Sequence, residues 1–262
     1  MPYRQTTITS RTNKWIRQLR LAATRGTTVS GGWTLAESPH LLQEALRSSA
    51  QVQRVFAAES ALQRAEATIP PHRGIPVHPV ADGLFQDVAT TARSQGVLSL
   101  VRLPSWTPGE VLQGLTIVLD AVQDPGNAGT IARSAEAFGA SGIVFLSGSA
   151  APTNPKCLRA AAGSMFRLPH LSRIGTDQLL GLVASHGCRL LALAAGDGTS
   201  LAGIDFSGPT AVVVGSETHG VRPPLLDAAE RVVIPTHSVE SLNAGIAAAV
   251  VLYESARRSA VP

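Results

Sequence analysis

The sequence predicts an α/β fold in two parts, because short apolar runs alternate with helix-like segments along most of the chain. In the second half the runs are continuous rather than alternating, which is typical of strands buried on both faces of a parallel sheet. These runs are residues 115–119, 142–146, 189–194, 211–214 and 231–234. Pro104 and Pro108 mark a linker between the parts. We therefore expect an N-terminal domain over 1–103, a linker over 104–114 and a C-terminal domain over 115–262.

The N-terminal part has the pattern of a small α/β domain that follows a basic helix. Ser10 or Thr12 can cap this helix, which should run to about Ala23. Further helices are expected over 39–47, 62–67 and 84–93, and extended segments over 52–57, 75–80 and 97–103.

Composition narrows the functional classes. A hydrophobic content of 44% supports packed cores, and no apolar run approaches the roughly 20 residues that span a bilayer. The basic, polar start of the chain lacks the apolar centre of a secretion signal. Cys157 and Cys188 are not spaced like metal ligands. These features predict a protein of the reducing cytoplasm.

The charge pattern favours a polyanionic partner. The formal net charge is +4, and all of the 22 basic residues except Lys14 and Lys156 are arginine, a residue suited to bidentate phosphate contacts. A compositional bias of the genome would produce the same enrichment. The first 36 residues contain no acidic residue. On the first helix, one face is apolar and the other carries the candidate phosphate-binding residues Arg11, Lys14, Arg17 and Arg20, unless that face is simply solvated.

Three polar loops follow apolar strands of the second half. The first contains Asn127, which can cap a helix that ends near Gly139. Ile131, Ala135 and Phe138 form its expected buried stripe. Arg133 lies about 200° from Ile131 and therefore points away from that stripe, toward a phosphate or toward solvent. The glycines of this loop do not match the dinucleotide-binding fingerprint.

The second loop begins at Gly215, where a glycine lets a ligand approach the backbone or simply permits a tight turn. Glu217 and His219 follow, but no third ligand is suitably spaced, so we expect no metal site.

The third loop carries Ser241 and Asn243 and leads into a helix of small residues that can pack closely against another backbone. No nucleophile-elbow pattern accompanies its Ser, His and Glu, so hydrolase chemistry has little support.

In this order the three loops resemble the three motifs of the SpoU/TrmH family of RNA ribose methyltransferases, within the SPOUT superfamily. The matching segments are NAGTIARSAEAFGASGIVFL, VVVGSETHGV and IPTHSVESLNAGIAAAVVLYE, with LRAAAGSMFRLPH between the first two. The resemblance covers about residues 115–258. The N-terminal part is more loosely similar to the family's L30e-like substrate-binding domain. Thr236–His237 and Ala244–Gly245 depart from the residues usual in the third motif.

The resemblance implies transfer of a methyl group from S-adenosylmethionine to a ribose 2′-hydroxyl. It also implies a trefoil-knotted C-terminal domain and a homodimer with sites at the interface. By matching position, the backbone at Gly215, Ile234 and Leu242 should hold the cofactor. The polar reaction site should comprise the following residues: Asn127, Arg133, Glu217, Ser241 and Asn243.

Ribosomal RNA is the substrate that we expect, since an added N-terminal domain suits recognition of a folded RNA. Transfer RNA is the alternative within the class, and modification of the ribosome that confers drug resistance is another. Outside the class, the chain could bind RNA without catalysis, although the complete set of motif residues argues against this. A nicotinamide-dependent enzyme would need the third fingerprint glycine, which is missing.

Overall fold

The computed structural model describes residues 6–239 and 241–259. The described residues form two compact units, one comprising the chain up to Pro104 together with Thr153–Arg167, and the other comprising Ser105–Pro152 together with the chain from Leu168 onward. The helices, in chain order, are α1 Lys14–Arg25, α2 Pro39–Leu46, α3 Leu62–Thr68, α4 Asp82–Phe85, α5 Pro108–Val111, α6 Pro125–Ala137, α7 Pro155–Ala161, α8 Thr176–Ser185, α9 Pro223–Ala228 and α10 Ala244–Ser259. The strands are β1 Thr34–Glu37, β2 Gln51–Ala58, β3 Val77–Val80, β4 Val97–Arg102, β5 Leu115–Leu119, β6 Gly142–Leu146, β7 His170–Ile174, β8 Arg189–Leu193, β9 Thr199–Ser200, β10 Thr210–Val214 and β11 Glu230–Val233.

The first unit is built on a four-stranded sheet with the order β1-β4-β2-β3. Strand β4 is antiparallel to both of its neighbours, whereas β2 and β3 are parallel. Helix α1 buries Ile16, Leu19 and Ala22 and leaves Lys14 and Arg17 exposed, as its sequence pattern predicts. The expected small α/β domain is therefore confirmed.

The start of α1 differs from the prediction. Asn13 caps the helix, with its side-chain oxygen accepting a hydrogen bond from the backbone N–H of Trp15 at 2.9 Å. The expected caps, Ser10 and Thr12, instead bond to each other through their hydroxyls at 2.7 Å. The helix continues to Arg25, beyond the expected end.

The helix expected over 84–93 is also wrong, because α4 ends at Phe85. The buried carboxylate of Glu37 accounts for the difference. It accepts hydrogen bonds from the backbone N–H of Thr90 at 2.6 Å and from the hydroxyl of Thr91 at 2.9 Å. A buried charge needs such donors, and the chain supplies them from an irregular segment.

The segment Thr153–Arg167 belongs to the first unit although its neighbours in sequence belong to the second. The hydroxyl of Thr34 donates to the backbone oxygen of Thr153, and Arg159 donates to the hydroxyl of Thr90 at 2.9 Å. Most of the LRAAAGSMFRLPH motif thus packs within the N-terminal unit.

The second unit contains a seven-stranded sheet with the order β7-β6-β5-β10-β8-β11-β9. Every pairing in it is parallel. Strands β6 and β10 are wholly buried, so the continuous apolar runs correctly predict a sheet covered on both faces. The sequence interpretation missed the two edge strands, β7 and β9, because their exposed middle or polar residues lack such a run. The trefoil knot stays a prediction.

Helix α6 buries Ile131 and Ala135 but not Phe138, which is 37% exposed. Phe138 follows the last helical residue, where the backbone has left the helical path. Its ring meets that of Tyr253 edge-on, with centroids 5.9 Å apart. In the part of the chain that the structure describes, no helix has the length and apolar character needed to cross a membrane.

Candidate active site

The three motif loops converge in the second unit. Strands β5 and β10 are neighbours in the sheet, and β11 lies beyond β8. Because all are parallel, the loops that follow them leave from the same edge, where ligands of open α/β sheets bind.

Glu217 joins the three loops. Its Oε1 accepts hydrogen bonds from Nδ2 of Asn127, at 2.7 Å, and from Nδ2 of Asn243. One carboxylate oxygen from the second motif thereby binds an amide from the first and an amide from the third. The sequence-predicted residues Asn127, Glu217 and Asn243 are thus brought together, across separations of 90 and 26 residues.

Each asparagine is placed by the start of a helix. Asn127 was expected to cap α6, but it is the third residue of that helix. Asp124 caps the helix and accepts from the backbone N–H of Asn127 at 2.9 Å, while Pro125 occupies the first position, which needs no N–H donor. Asn243 precedes α10, and its Oδ1 accepts from the backbone N–H of Gly245 at 2.9 Å. From these positions the side-chain NH₂ groups of both asparagines donate to Glu217.

The loop that carries Glu217 is closed by its own backbone. Ser216 and Gly220 exchange two hydrogen bonds, of 3.1 and 2.9 Å. A Cβ on Gly215 would lie 2.1 Å from the carbonyl carbon of Gly220. The close approach of this loop therefore requires glycine at position 215.

Asp120 is a residue that the sequence interpretation missed. It is fully buried at the end of β5 and accepts from the backbone N–H of Arg222 at 2.7 Å and from its guanidinium Nε at 2.5 Å. This pair fixes the far end of the Glu217 loop to the end of β5. An acidic residue directly after a buried strand was the available signal, since a buried carboxylate requires a partner.

A cavity of about 720 Å³ opens beside the network. Among its lining residues are the three predicted cofactor-binding residues Gly215, Ile234 and Leu242, together with Glu217 and Ser241. Its volume lies in the usual range for small-molecule sites.

Arg133 stands apart from the network. It is exposed on α6, six residues after Asn127, which corresponds to about 240° around the helix. Within residues 6–239 and 241–259, its guanidinium forms no ion pair. The structure therefore presents a solvated, uncompensated cation at this position.

In the first unit, the four predicted RNA-binding residues differ in their charge environment. Arg11 forms an ion pair with Asp87 at 2.7 Å, so its charge is compensated. Lys14, Arg17 and Arg20 are exposed and have no acidic partner among the described residues. The last three form the free cationic face of α1.

Burial disfavours the nucleophilic thiolate form of both cysteines. Burial raises the pKa of the Cys157 thiol to about 12, and burial also raises the pKa of Cys188. A thiol that stays protonated is a poor nucleophile. No group of three or more His, Cys, Asp or Glu side chains within the described parts of the chain could hold a metal ion.

Two family models match the chain. The model of the SpoU rRNA Methylase family matches residues 114–253, and that of the MRM3-like substrate binding domain matches residues 13–99. The first match contains all three motif loops.

Similar proteins include two bacterial methyltransferases. An uncharacterized tRNA/rRNA methyltransferase of Synechocystis sp. is 34% identical over 96% of this chain and 93% of its own length. The 23S rRNA (guanosine(2553)-2′-O)-methyltransferase RlmP of Bacillus subtilis is 30% identical over 84% of this chain and 86% of its own length.

The fold is similar to solved structures over nearly the whole chain. The crystal structure of an AdoMet-bound rRNA methyltransferase from Sinorhizobium meliloti superposes with a TM-score of 0.82 at 26% identity, covering 98% of this chain and 99% of that one.

Proposed function

We propose that this chain, which belongs to the SpoU rRNA methylase family, methylates a ribose 2′-hydroxyl of ribosomal RNA with S-adenosylmethionine as the donor. The observation that carries the proposal is the Asn127–Glu217–Asn243 network, whose Glu217 lines a cavity of about 720 Å³. The named activity of the Bacillus subtilis relative and the AdoMet-bound Sinorhizobium meliloti structure support the same reaction.

The cavity suits the cofactor. Its walls combine apolar side chains such as Leu193 and Leu226 with backbone at Gly215 and Ile234, so both an apolar body and polar edges can be accommodated. The cofactor supplies an electrophilic methyl group on a sulfonium. We assign Gly215, Ile234 and Leu242 to holding it, largely through backbone groups.

The polar residues prepare the acceptor. In the transfer, the ribose 2′-oxygen would form a bond to the methyl carbon as the carbon–sulfur bond breaks, which would leave a thioether, and the hydroxyl proton would pass to solvent water. This reaction needs alignment more than it needs a metal. Glu217, with Asn127 and Asn243, holds the three loops in place, and Ser241 lies at the cavity to orient the ribose.

Arg133 has a different role. A guanidinium does not readily give up its proton, so we do not assign it as the general base. Its exposed positive charge suits binding of an RNA phosphate and stabilisation of the developing alkoxide.

A homodimer is the second part of the proposal. Ile246 and Tyr253, both 55% exposed, lie about two turns apart on α10, and Phe138, 37% exposed, packs against Tyr253. An exposed apolar face of this kind is typical of an interface. Arg133 lies on the helix that leads to Phe138, so dimerisation through this face would bring Arg133 close to the interface.

The N-terminal unit provides the RNA contact. Lys14, Arg17 and Arg20 present uncompensated cations on α1, as phosphate binding requires. Arg11 should contribute less, because Asp87 already neutralises it.

Transfer of labelled methyl from S-adenosylmethionine into unmodified total RNA tests the proposal. We expect label in the large ribosomal RNA, recovered as a 2′-O-methyl nucleoside after digestion. Label in the transfer-RNA band would retain the reaction and replace the substrate. Label on a base would contradict the 2′-hydroxyl assignment. If no RNA is labelled and the purified protein fails to bind S-adenosylmethionine, the protein is not an enzyme of this kind.

A further inference from the structure

One end of the sheet in the first unit carries a row of three side chains from neighbouring strands. Gln51, at the start of β2, pairs directly with Arg102, at the end of β4. The pairing of Thr34 with Val101 places Trp33 beside Arg102 on the other side. Residues that pair across strands point to the same face of a sheet. One face of the sheet therefore carries, in this order, the side chains of Trp33, Arg102 and Gln51.

Arg102 is held in this row by neutral partners. The central carbon of its guanidinium lies 4.3 Å from the centroid of the Trp33 ring. One terminal nitrogen donates to the backbone oxygen of Gly31 at 2.8 Å, and the other approaches Oε1 of Gln51 at 3.4 Å. Arg102 is nevertheless exposed. The plane of the guanidinium is held by the contacts of its two terminal nitrogens, and the indole of Trp33 covers one side of it.

The charge of Arg102 is not compensated. In the described ranges no carboxylate lies within ion-pair distance of it. Because three neutral groups fix its orientation, little conformational entropy is lost when a ligand binds it. This arrangement differs from an ordinary surface arginine, whose side chain is free to rotate.

A second arginine–tryptophan pair lies on the same face. Arg54 pairs with Leu100, two residues before Arg102 on β4, so the two arginines share a side of the sheet. The guanidinium carbon of Arg54 lies 4.1 Å from the centroid of the Trp15 ring. Arg54 is half-buried, and one of its nitrogens is 3.3 Å from Nε2 of His78.

Lys14 lies beside the second pair, since its Nζ is 5.7 Å from the centroid of the Trp15 ring. This face thus carries two arginine–tryptophan pairs, with a lysine beside the second pair. A groove that binds single-stranded RNA has the same composition, with cations for the phosphates and planar groups on which the bases stack. Arginine planes serve as stacking surfaces in RNA recognition as aromatic rings do. Arg102, with one side against Trp33 and the rest exposed, offers such a plane.

We propose that Trp33, Arg102 and Gln51 form a stacking site for an unpaired nucleobase of the RNA substrate. The base lies on the Arg102 guanidinium, which Trp33 supports from beneath, and the Gln51 amide borders it. The site rests on the proposed function in one respect only, namely that the bound polymer is RNA. It differs from the cationic face of α1, formed by Lys14, Arg17 and Arg20, because it binds a base rather than phosphates.

Binding of a labelled oligouridylate of about 12 nucleotides to the full chain, followed by fluorescence anisotropy, tests this site. We expect Arg102→Ala to weaken binding about tenfold, the order of one stacked base. Arg102→Lys keeps the charge but not the plane, so it should lose most of the same affinity. Arg64→Ala is the matched control, because Arg64 is an exposed arginine on α3 of the same unit. Its loss should change affinity no more than about twofold, as expected for one phosphate contact or none.

An abasic oligonucleotide of the same length separates stacking from charge. Without bases, Arg102→Ala should bind about as well as the unaltered chain. If Arg102→Ala weakens both oligonucleotides equally, Arg102 contacts phosphate and the stacking site is wrong. If Arg102→Ala and Arg64→Ala have equal effects on the oligouridylate, or if the unaltered chain does not bind it, the site is likewise wrong. Thermal unfolding of Arg102→Ala checks that the fold is intact, and Arg102→Lys keeps the comparison valid if it is not.

The outcome is separable from that of the methyl-transfer assay. A tenfold effect confined to the base-bearing oligonucleotide would support the stacking site even if no RNA accepted a methyl group. Methyl transfer with equal oligouridylate affinities for Arg102→Ala and Arg64→Ala would keep the proposed function and remove the site.

Discussion

Replacement of Glu217 by alanine should disconnect the three motif loops without unfolding the protein. The side chain makes two amide-to-carboxylate hydrogen bonds, to Asn127 and Asn243. Hydrogen bonds to charged groups contribute about 1.5–3 kcal/mol each when they are shielded from water. Glu217 is exposed, so we take about 1 kcal/mol for each bond, and about 2 kcal/mol for the pair.

If this organisation is needed only to reach the transition state, the loss converts to a decrease of about 30-fold in kcat/KM for methyl transfer. Glu217→Gln keeps an acceptor oxygen but loses the charge. Its kcat/KM should therefore lie between those of the unaltered protein and of Glu217→Ala. Asp177→Ala, an exposed acidic residue on α8, is the control for loss of one negative charge and should retain normal activity.

A double-mutant cycle shows whether the residues act as a unit. Asn127→Ala alone removes one of the two bonds, worth about 1 kcal/mol, and should lower kcat/KM about fivefold. Combined with Glu217→Ala it should cause almost no further loss, because the bond is already absent. If the free-energy losses of the two variants simply add, the residues act independently and the network does not position the loops.

The remaining predictions concern Arg133, Gly215 and the two cysteines. Arg133→Ala should abolish methyl transfer while changing the free energy of unfolding by no more than about 0.5 kcal/mol, since the residue is exposed; near-normal turnover on RNA would contradict its assignment. Gly215→Ala should lower the affinity for S-adenosylmethionine more than tenfold in calorimetry, because its Cβ would meet backbone at 2.1 Å, whereas Gly181→Ala, on an open face of α8, should bind normally and gain about 0.4–1 kcal/mol of stability. With a maleimide near pH 8, Cys188 should react first and Cys157 only on unfolding, because burial raises the pKa of the Cys157 thiol to about 12. Fast labelling of both thiols in the folded protein would contradict this order of reaction. The fold favours the protonated form of the Cys157 thiol, so its contribution to stability is complete below the ordinary thiol pKa of about 9. That contribution is lost as the pH rises from about 9 through about 12.

The predictions from local pattern succeeded where burial alone decides the structure. The continuous apolar run at 115–119 became β5 with the expected bounds, and that at 142–146 became β6. A strand covered on both faces must be apolar throughout, so its sequence is nearly sufficient to identify it. The edge strand β7 has no such requirement, and its exposed middle residues gave no signal.

The errors occurred where a distant residue determines the local structure. The expected helix over 84–93 is replaced by a segment that serves the buried carboxylate of Glu37, more than 50 residues away. Asn127 was expected to cap α6 because it is a good cap, but Asp124 and Pro125 begin the helix earlier. As the third residue of α6, Asn127 donates through its Nδ2 to Glu217.

The sequence by itself determined the parallel α/β core, the basic helix with its apolar face, and the polar residues of the motif loops, because these depend on local periodicity and on residue type. Only the tertiary structure decided that Glu217 bridges Asn127 and Asn243, that Asp120 anchors Arg222, and that Trp33 and Arg102 stack in one row. Each of these contacts joins residues far apart in the chain. Their distances follow from strand order and register, which local periodicity and residue type do not reveal.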